Sequence, residues 1–167
     1  MNSIALTNTA RFVILAMFQV LVLSHINFLG YINPYLYILF ILLFPLKNNR
    51  IIFLLLSFLL GLTIDMFLDS GGIHAAASVT IAYIRPVVLK FSFGAVYDHQ
   101  TMKFNNVEFG SKLTYITILV VIHHFILFSL EIFNFYKIIL ILQNTLFSSI
   151  FTIIICVLTT VIFNRRK

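Results

Sequence analysis

The chain has 167 residues, 61% of them hydrophobic and 10% charged, with a formal net charge of +6. A soluble domain of this length would carry more charge and show alternating polar faces, so the class is an integral membrane protein with no separate soluble domain. In that class the placement of the basic residues matters more than their sum, and nucleic acid is not implied as a partner.

The apolar stretches are unbroken blocks of Ile, Leu and Phe without two-residue alternation, which predicts helices and not a transmembrane barrel. Crossing the hydrocarbon core takes about 20 apolar residues. On that basis six spans are predicted at 12–29, 30–46, 51–68, 72–89, 113–130 and 138–163, making 1–167 a single membrane domain. The first follows Arg11, lacks a small-residue cleavage site and is followed by further spans, so it does not read as a cleavable signal. The second carries Asn33-Pro34 near its start and Pro45 near its end.

The positive-inside rule fixes the expected orientation. Six spans with the N-terminus inside place Arg11, Lys47, Arg50, Lys90, Lys103, Lys112, Arg165, Arg166 and Lys167 on the cytoplasmic side. Only Lys137 falls outside, and Arg85 lies near enough to the inner end of the fourth span to snorkel there. Five spans would scatter these charges. The expectation is therefore an all-α protein with six transmembrane helices and both termini cytoplasmic. The connection 91–112 interleaves Phe91, Phe93, Tyr97, Phe104 and Phe109 with lysines, as a loop lying on the anionic leaflet would; a protein-docking loop is the alternative. The single cysteine, Cys156, sits in an apolar run and excludes an intrachain disulfide framework.

The chemistry-bearing stretch is GLTIDMFLDSGGIHAAAS, residues 61–78. Ionisable residues inside a membrane are costly and call for an account. Asp65 and Asp69 stand four apart, so on a continuous helix they share a face with Gly61 one turn deeper. Ser70-Gly71-Gly72 signals a turn. The next helix then starts near Ile73, and its free N–H groups favour a carboxylate nearby. Asp69 or Ser70 is expected to cap it, with His74 bonded to Asp69. Ala75, Ala76, Ala77 and Ser78 are small enough for close helix approach, with Gly61 as counterpart. Asp65 then lies at a tight interface, bonded to a hydroxyl such as Ser78 or Thr80, and locks the hairpin. Contact with a partner or ligand, and catalysis or ion coupling, are the competing roles. Gln19, His25, Gln143 and Asn144 read as interhelical hydrogen-bonding groups.

Enzyme readings fare poorly. An intramembrane aspartyl protease needs aspartates on two helices, and here both share one. Asp65-x-x-x-Asp69 has the spacing of a lipid phosphotransferase or prenyltransferase that holds Mg²⁺ against a diphosphate. It lacks a second such motif and has almost no Lys or Arg on the same side. His123 and His124 are adjacent, about 100° apart on a helix, and so poorly placed to share a metal ion. No catalytic, metal or cofactor site is expected, and the protein reads as not an enzyme.

The stretch LLGLTIDMFLDSGGIHAAASVTIAY carries Gly61-x-x-x-Asp65, a glycine turn, small residues and an Ile81-Ala82-Tyr83 ending. With Asn33-Pro34 opening span two, the six-span layout and the basic C-terminus, the chain resembles the MreD family of the bacterial rod-shape system. The specific likeness runs from about Leu59 to Tyr83. The resemblance implies a non-enzymatic inner-membrane scaffold that binds an MreC-like protein and, directly or through it, MreB and the peptidoglycan synthases of the lateral wall. It also implies helices arranged as in the vitamin-binding S-components of energy-coupling transporters. The family motif falls on Gly61 and Asp65, and more loosely on Gly71 or Gly72. An S-component proper is the alternative function, and a DxxxD lipid-modifying enzyme the third.

Overall fold

The computed structural model describes residues 3–26, 33–46, 49–94 and 107–164, and their regular structure is all helical. Among the described residues six α-helices follow in order: α1 Ser3–Leu21, α2 Ile38–Leu43, α3 Arg50–Leu68, α4 Ile73–Phe93, α5 Phe109–Ile132 and α6 Ile138–Asn164. Short 3₁₀ turns stand at Leu23–His25 and Phe135–Lys137. Lys47, Lys103, Arg165, Arg166, Lys167 and most of the 91–112 connection lie outside the described residues.

Five segments are long and apolar enough to cross a membrane: Leu6–His25, Arg50–Leu68, Ile73–Phe93, Phe109–Ile132 and Ile138–Ile162. Their outer faces are apolar: Ile51, Met66, Val87, Phe91, Ile139 and Leu158 are all exposed. Polar side chains such as Gln19, Ser57, His123, His124 and Thr152 are buried. This inversion of the soluble pattern suits a lipid surround, and the chain is a multi-pass membrane protein.

The predicted second span differs. Residues 30–32 lie outside the described residues; within 33–46 the structure has a six-residue helix preceded by non-helical backbone from Asn33 to Tyr35, not a helix of spanning length. The prolines explain both limits. A residue before proline is pushed out of the α region. Phe44 obeys this, with ψ of 138° before Pro45. At the other end Pro34 has no N–H to donate.

The long helices pack in the order α1, α3, α4, α5, α6, and α2 lies among them against α1, α4 and α5. Residues 34–42 are all buried. The segment runs antiparallel to α1: Gln19 bonds at Pro34 and Leu36, Phe12 meets Phe40 edge-on, and Arg11 reaches the carbonyl of Leu43. It enters where α4 begins, with Tyr37 against His74, and leaves where α3 begins, with Phe44 stacked on Phe53.

Irregular backbone at membrane depth survives only where its polar groups are satisfied internally. At the entrance Gln19 donates to the Pro34 carbonyl (3.1 Å) and accepts from the Leu36 N–H (2.8 Å), while Thr152 of α6 accepts the Tyr35 N–H (3.0 Å). At the exit the sequence-based placement of Arg85 is overturned. It does not snorkel; it is 5% exposed and turned inward. Its Nη2 donates to the carbonyls of Phe44 (2.6 Å) and Leu42 (3.2 Å), and its Nε to the Tyr115 hydroxyl (2.8 Å), which itself donates to Leu42. The carbonyl end of a helix is its negative pole, so a buried guanidinium there is better placed than one reaching past it.

Candidate functional site

The site is the hairpin of α3 and α4. Gly61 touches the start of α4 so closely that an added Cβ would lie 2.5 Å from both the Ala75 Cα and the His74 carbonyl oxygen. Nothing but hydrogen fits. Ala75, Ala77 and Ser78 are buried behind this contact, whereas Ala76, expected in the same packing surface, faces outward.

Asp65 closes the hairpin. Its Oδ2 accepts the backbone N–H of Ala75 (2.8 Å), and its Oδ1 accepts the backbone N–H of His74 (3.0 Å) and the hydroxyl of Ser70. Its own carbonyl accepts the N–H groups of Asp69 and Ser70. One residue thus ends α3 with its backbone and starts α4 with its side chain. The carboxylate answers the free N–H groups and positive end of α4 from nine and ten residues upstream.

Several expectations are corrected by this geometry. Neither Asp69 nor Ser70 caps α4. Ser70 orients the Asp65 carboxylate, and the chain turns away through Gly71 and Gly72, both with positive φ (68° and 93°) and nothing near an added Cβ. Asp69 is not on the helix face of Asp65: α3 ends at Leu68, and Asp69 follows in the left-handed region (φ 53°), exposed. The two carboxylates are therefore not stacked as a DxxxD pair. Thr80 bonds the Ala76 carbonyl in its own helix, not Asp65. His74 does not bond Asp69 either; its Nδ1 meets the Tyr37 hydroxyl at 2.8 Å.

That hydroxyl opens a cluster the sequence reading did not assemble. Tyr37 also sits 2.8 Å from His123 Nε2, so one phenol joins the α4 and α5 histidines. His124 turns to the other side. Its Nδ1 bonds the Val120 carbonyl (2.8 Å), which fixes the proton there, and its Nε2 then accepts from Thr152 (3.2 Å). The Tyr35 ring lies among His74, His123 and His124 at 5.3–6.5 Å between centroids. The missed signal was Tyr35 and Tyr37 in an apolar run: a buried phenol is expected to find a hydrogen-bond partner. His25 and Gln143 lie exposed. Among the described residues no group of three or more His, Cys, Asp or Glu is arranged to hold a metal ion.

A cavity of about 540 Å³ opens at this end of the bundle. Its polar lining comes from Ser24 after α1, Asn33 and Tyr35 before α2, Asp69 and Ser70 after α3, His74 of α4 and Glu131 of α5.

No protein-family model, curated protein or solved structure matches this chain.

Proposed function

We propose that this chain is a non-enzymatic MreD-type scaffold of the bacterial inner membrane, which binds an MreC-like protein and supports lateral wall synthesis and cell shape. The reading comes from the resemblance over about Leu59 to Tyr83. The observation that supports it is what Asp65 does: both carboxylate oxygens are engaged in holding α4, so the acid of the family-like element is part of the frame. A protein whose intramembrane polar groups hold its own helices together presents a shaped apolar exterior to lipid and to partner helices.

The same reading takes the chain across the membrane six times with both termini cytoplasmic. Support comes from residues 33–46, which run antiparallel to α1 and so return the chain to the side of Arg11 before α3 begins. The basic residues then gather on one side as the positive-inside rule requires. Accessibility labelling of single cysteines placed at Ser3 and Asn164, in a Cys156→Ser background, tests this: both react from the cytoplasmic face. Labelling from opposite faces would remove the sixth pass.

Partnership is tested by purification in gentle detergent followed by mass spectrometry of co-purifying membrane proteins. An MreC-type protein, encoded next to this chain, is the expected result. Its absence from both the preparation and the gene neighbourhood would end the scaffold reading.

A second reading, an S-component of an energy-coupling transporter, is favoured by one observation, the cavity of about 540 Å³. Ligand sites fall in a range of about 300–1,000 Å³. A vitamin retained through purification would support it over the scaffold.

A further inference from the structure

We propose that the cavity at the α3–α4 end binds a small organic cation that also carries a hydrogen-bond-accepting oxygen, the chemistry of an ethanolamine group. The inference needs only the cavity and stands whichever role the chain has.

The first support is the sign of the lining. Asp69 and Glu131 contribute carboxylates to the cavity, and no Lys or Arg is among the described residues that line it. Asp69 is not engaged as the cap of α4, since Asp65 already fills that place. A cavity whose described lining carries two carboxylates and no Lys or Arg favours a positively charged guest. The Tyr35 ring is part of the same wall and adds an aromatic surface suited to an alkylammonium.

The second support is independent and comes from a proton count in the buried cluster. The Tyr37 hydroxyl has one proton and two histidine nitrogens at 2.8 Å, so it donates to one and accepts from the other. The far nitrogen of His123, Nδ1, is buried without a partner. A buried orphan N–H is rarer than an orphan acceptor. The His123 proton therefore belongs on Nε2, donated to Tyr37, with Nδ1 left as a bare lone pair. Tyr37 then donates to His74 Nδ1, which leaves the His74 proton on Nε2. His74 is 4% exposed and lines the cavity, and its Nε2 has no partner among the described residues. The His74 ring N–H thus belongs to a residue lining a cavity that also carries two carboxylates. An ammonium answers the acids, and an oxygen on the same molecule answers the His74 N–H.

A free amino alcohol and a phosphatidylethanolamine headgroup share this chemistry, and the test separates them. The full chain is placed in phosphatidylglycerol nanodiscs and titrated with ethanolamine hydrochloride by calorimetry, with the His74 ring ¹⁵N–¹H resonance followed by NMR. In parallel, native mass spectrometry compares retention of phosphatidylethanolamine and phosphatidylglycerol from a mixed-lipid preparation. The variant is Asp69→Asn with Glu131→Gln; both residues are exposed, and Asn tolerates the left-handed backbone at 69. Saturable ethanolamine binding that moves the His74 signal and weakens about tenfold or more in the double variant supports a free amine. Selective phosphatidylethanolamine retention, lost in that variant, supports the headgroup. The proposal is overturned if neither is bound, if acetate binds as well as ethanolamine, or if the double variant binds like the parent.

Discussion

The carboxylate of Asp65 and the backbone N–H of Ala75 lie 2.8 Å apart, and that bond joins the last turn of α3 to the first turn of α4. The neighbouring oxygen takes the His74 N–H and the Ser70 hydroxyl, so the pair of oxygens meets three donors and no acceptor. From sequence alone Asp65→Asn is expected to keep much of the packing function and Asp65→Leu to weaken complex assembly. The three donors give that order a physical reason. An amide offers one acceptor oxygen, and its NH₂ must face one of the three donors. Asp65→Asn is expected to cost about 1 kcal/mol and Asp65→Leu, which strands two N–H groups, about 3 kcal/mol. Thermal unfolding in detergent reads the order. Equal and complete loss in both would assign the residue to a required negative charge instead of to the hairpin.

Gly61 is the steric partner of that bond. A methyl group there would stand 2.5 Å from α4 backbone, which cannot be relieved by turning a side chain. Gly61→Ala is expected to part the helices and destabilise the protein by about 1–3 kcal/mol, although alanine is the better helix former. A variant as stable as the parent would mean that α3 and α4 do not approach this closely.

Arg85 and Tyr115 hold the carbonyl end of α2 together, with the guanidinium also 5.1 Å from the Phe53 ring centroid. Arg85→Met removes three hydrogen bonds and leaves the Phe44 carbonyl without its side-chain donor in an apolar interior, while Leu42 keeps Tyr115, so a loss of about 3 kcal/mol is expected. Arg85→Lys keeps the charge but has no fork to bridge Leu42, Phe44 and Tyr115, and should recover only part of it. Tyr115→Phe should cost about 1 kcal/mol. If Arg85→Lys matched the parent in melting temperature, charge alone would be the requirement at this site.

Tyr37→Phe deletes the hydroxyl between His74 and His123 without altering the ring that fills the core. Hydrogen bonds between membrane helices average about 0.6 kcal/mol, with about 1.7 at the upper end. Leaving two histidines short of a partner puts this substitution toward the higher figure. Histidine ¹⁵N NMR gives a sharper reading: the ring signals of His74 and His123 should both move while His124, held by Val120 and Thr152, stays in place. Movement of His124 alone would show that the phenol is not the link.

Hydropathy by itself determined the class, the helical build and the existence of five long helices, because a run of apolar residues long enough to cross lipid needs no partner to be recognised; it set the first span at 12–29, whereas α1 is Ser3–Leu21. It also marked Gly61, Asp65 and the glycine turn as a place where two helices meet, since small residues and a lone acid in such a run have few other uses. Tertiary structure alone decided what each polar group does. Spacing suggested that Asp69 shares a face with Asp65, but the helix stops one residue short, and a carboxylate nine residues away reaches the N–H groups that a local cap was expected to serve. The segment 30–46 looked like a helix because its composition is apolar. Its backbone is instead held by Gln19, Thr152, Arg85 and Arg11, side chains between 15 and 117 residues distant along the chain. In a membrane every backbone donor needs an acceptor within the protein, and which acceptor it finds depends on the packing of helices, which no periodicity in one segment encodes.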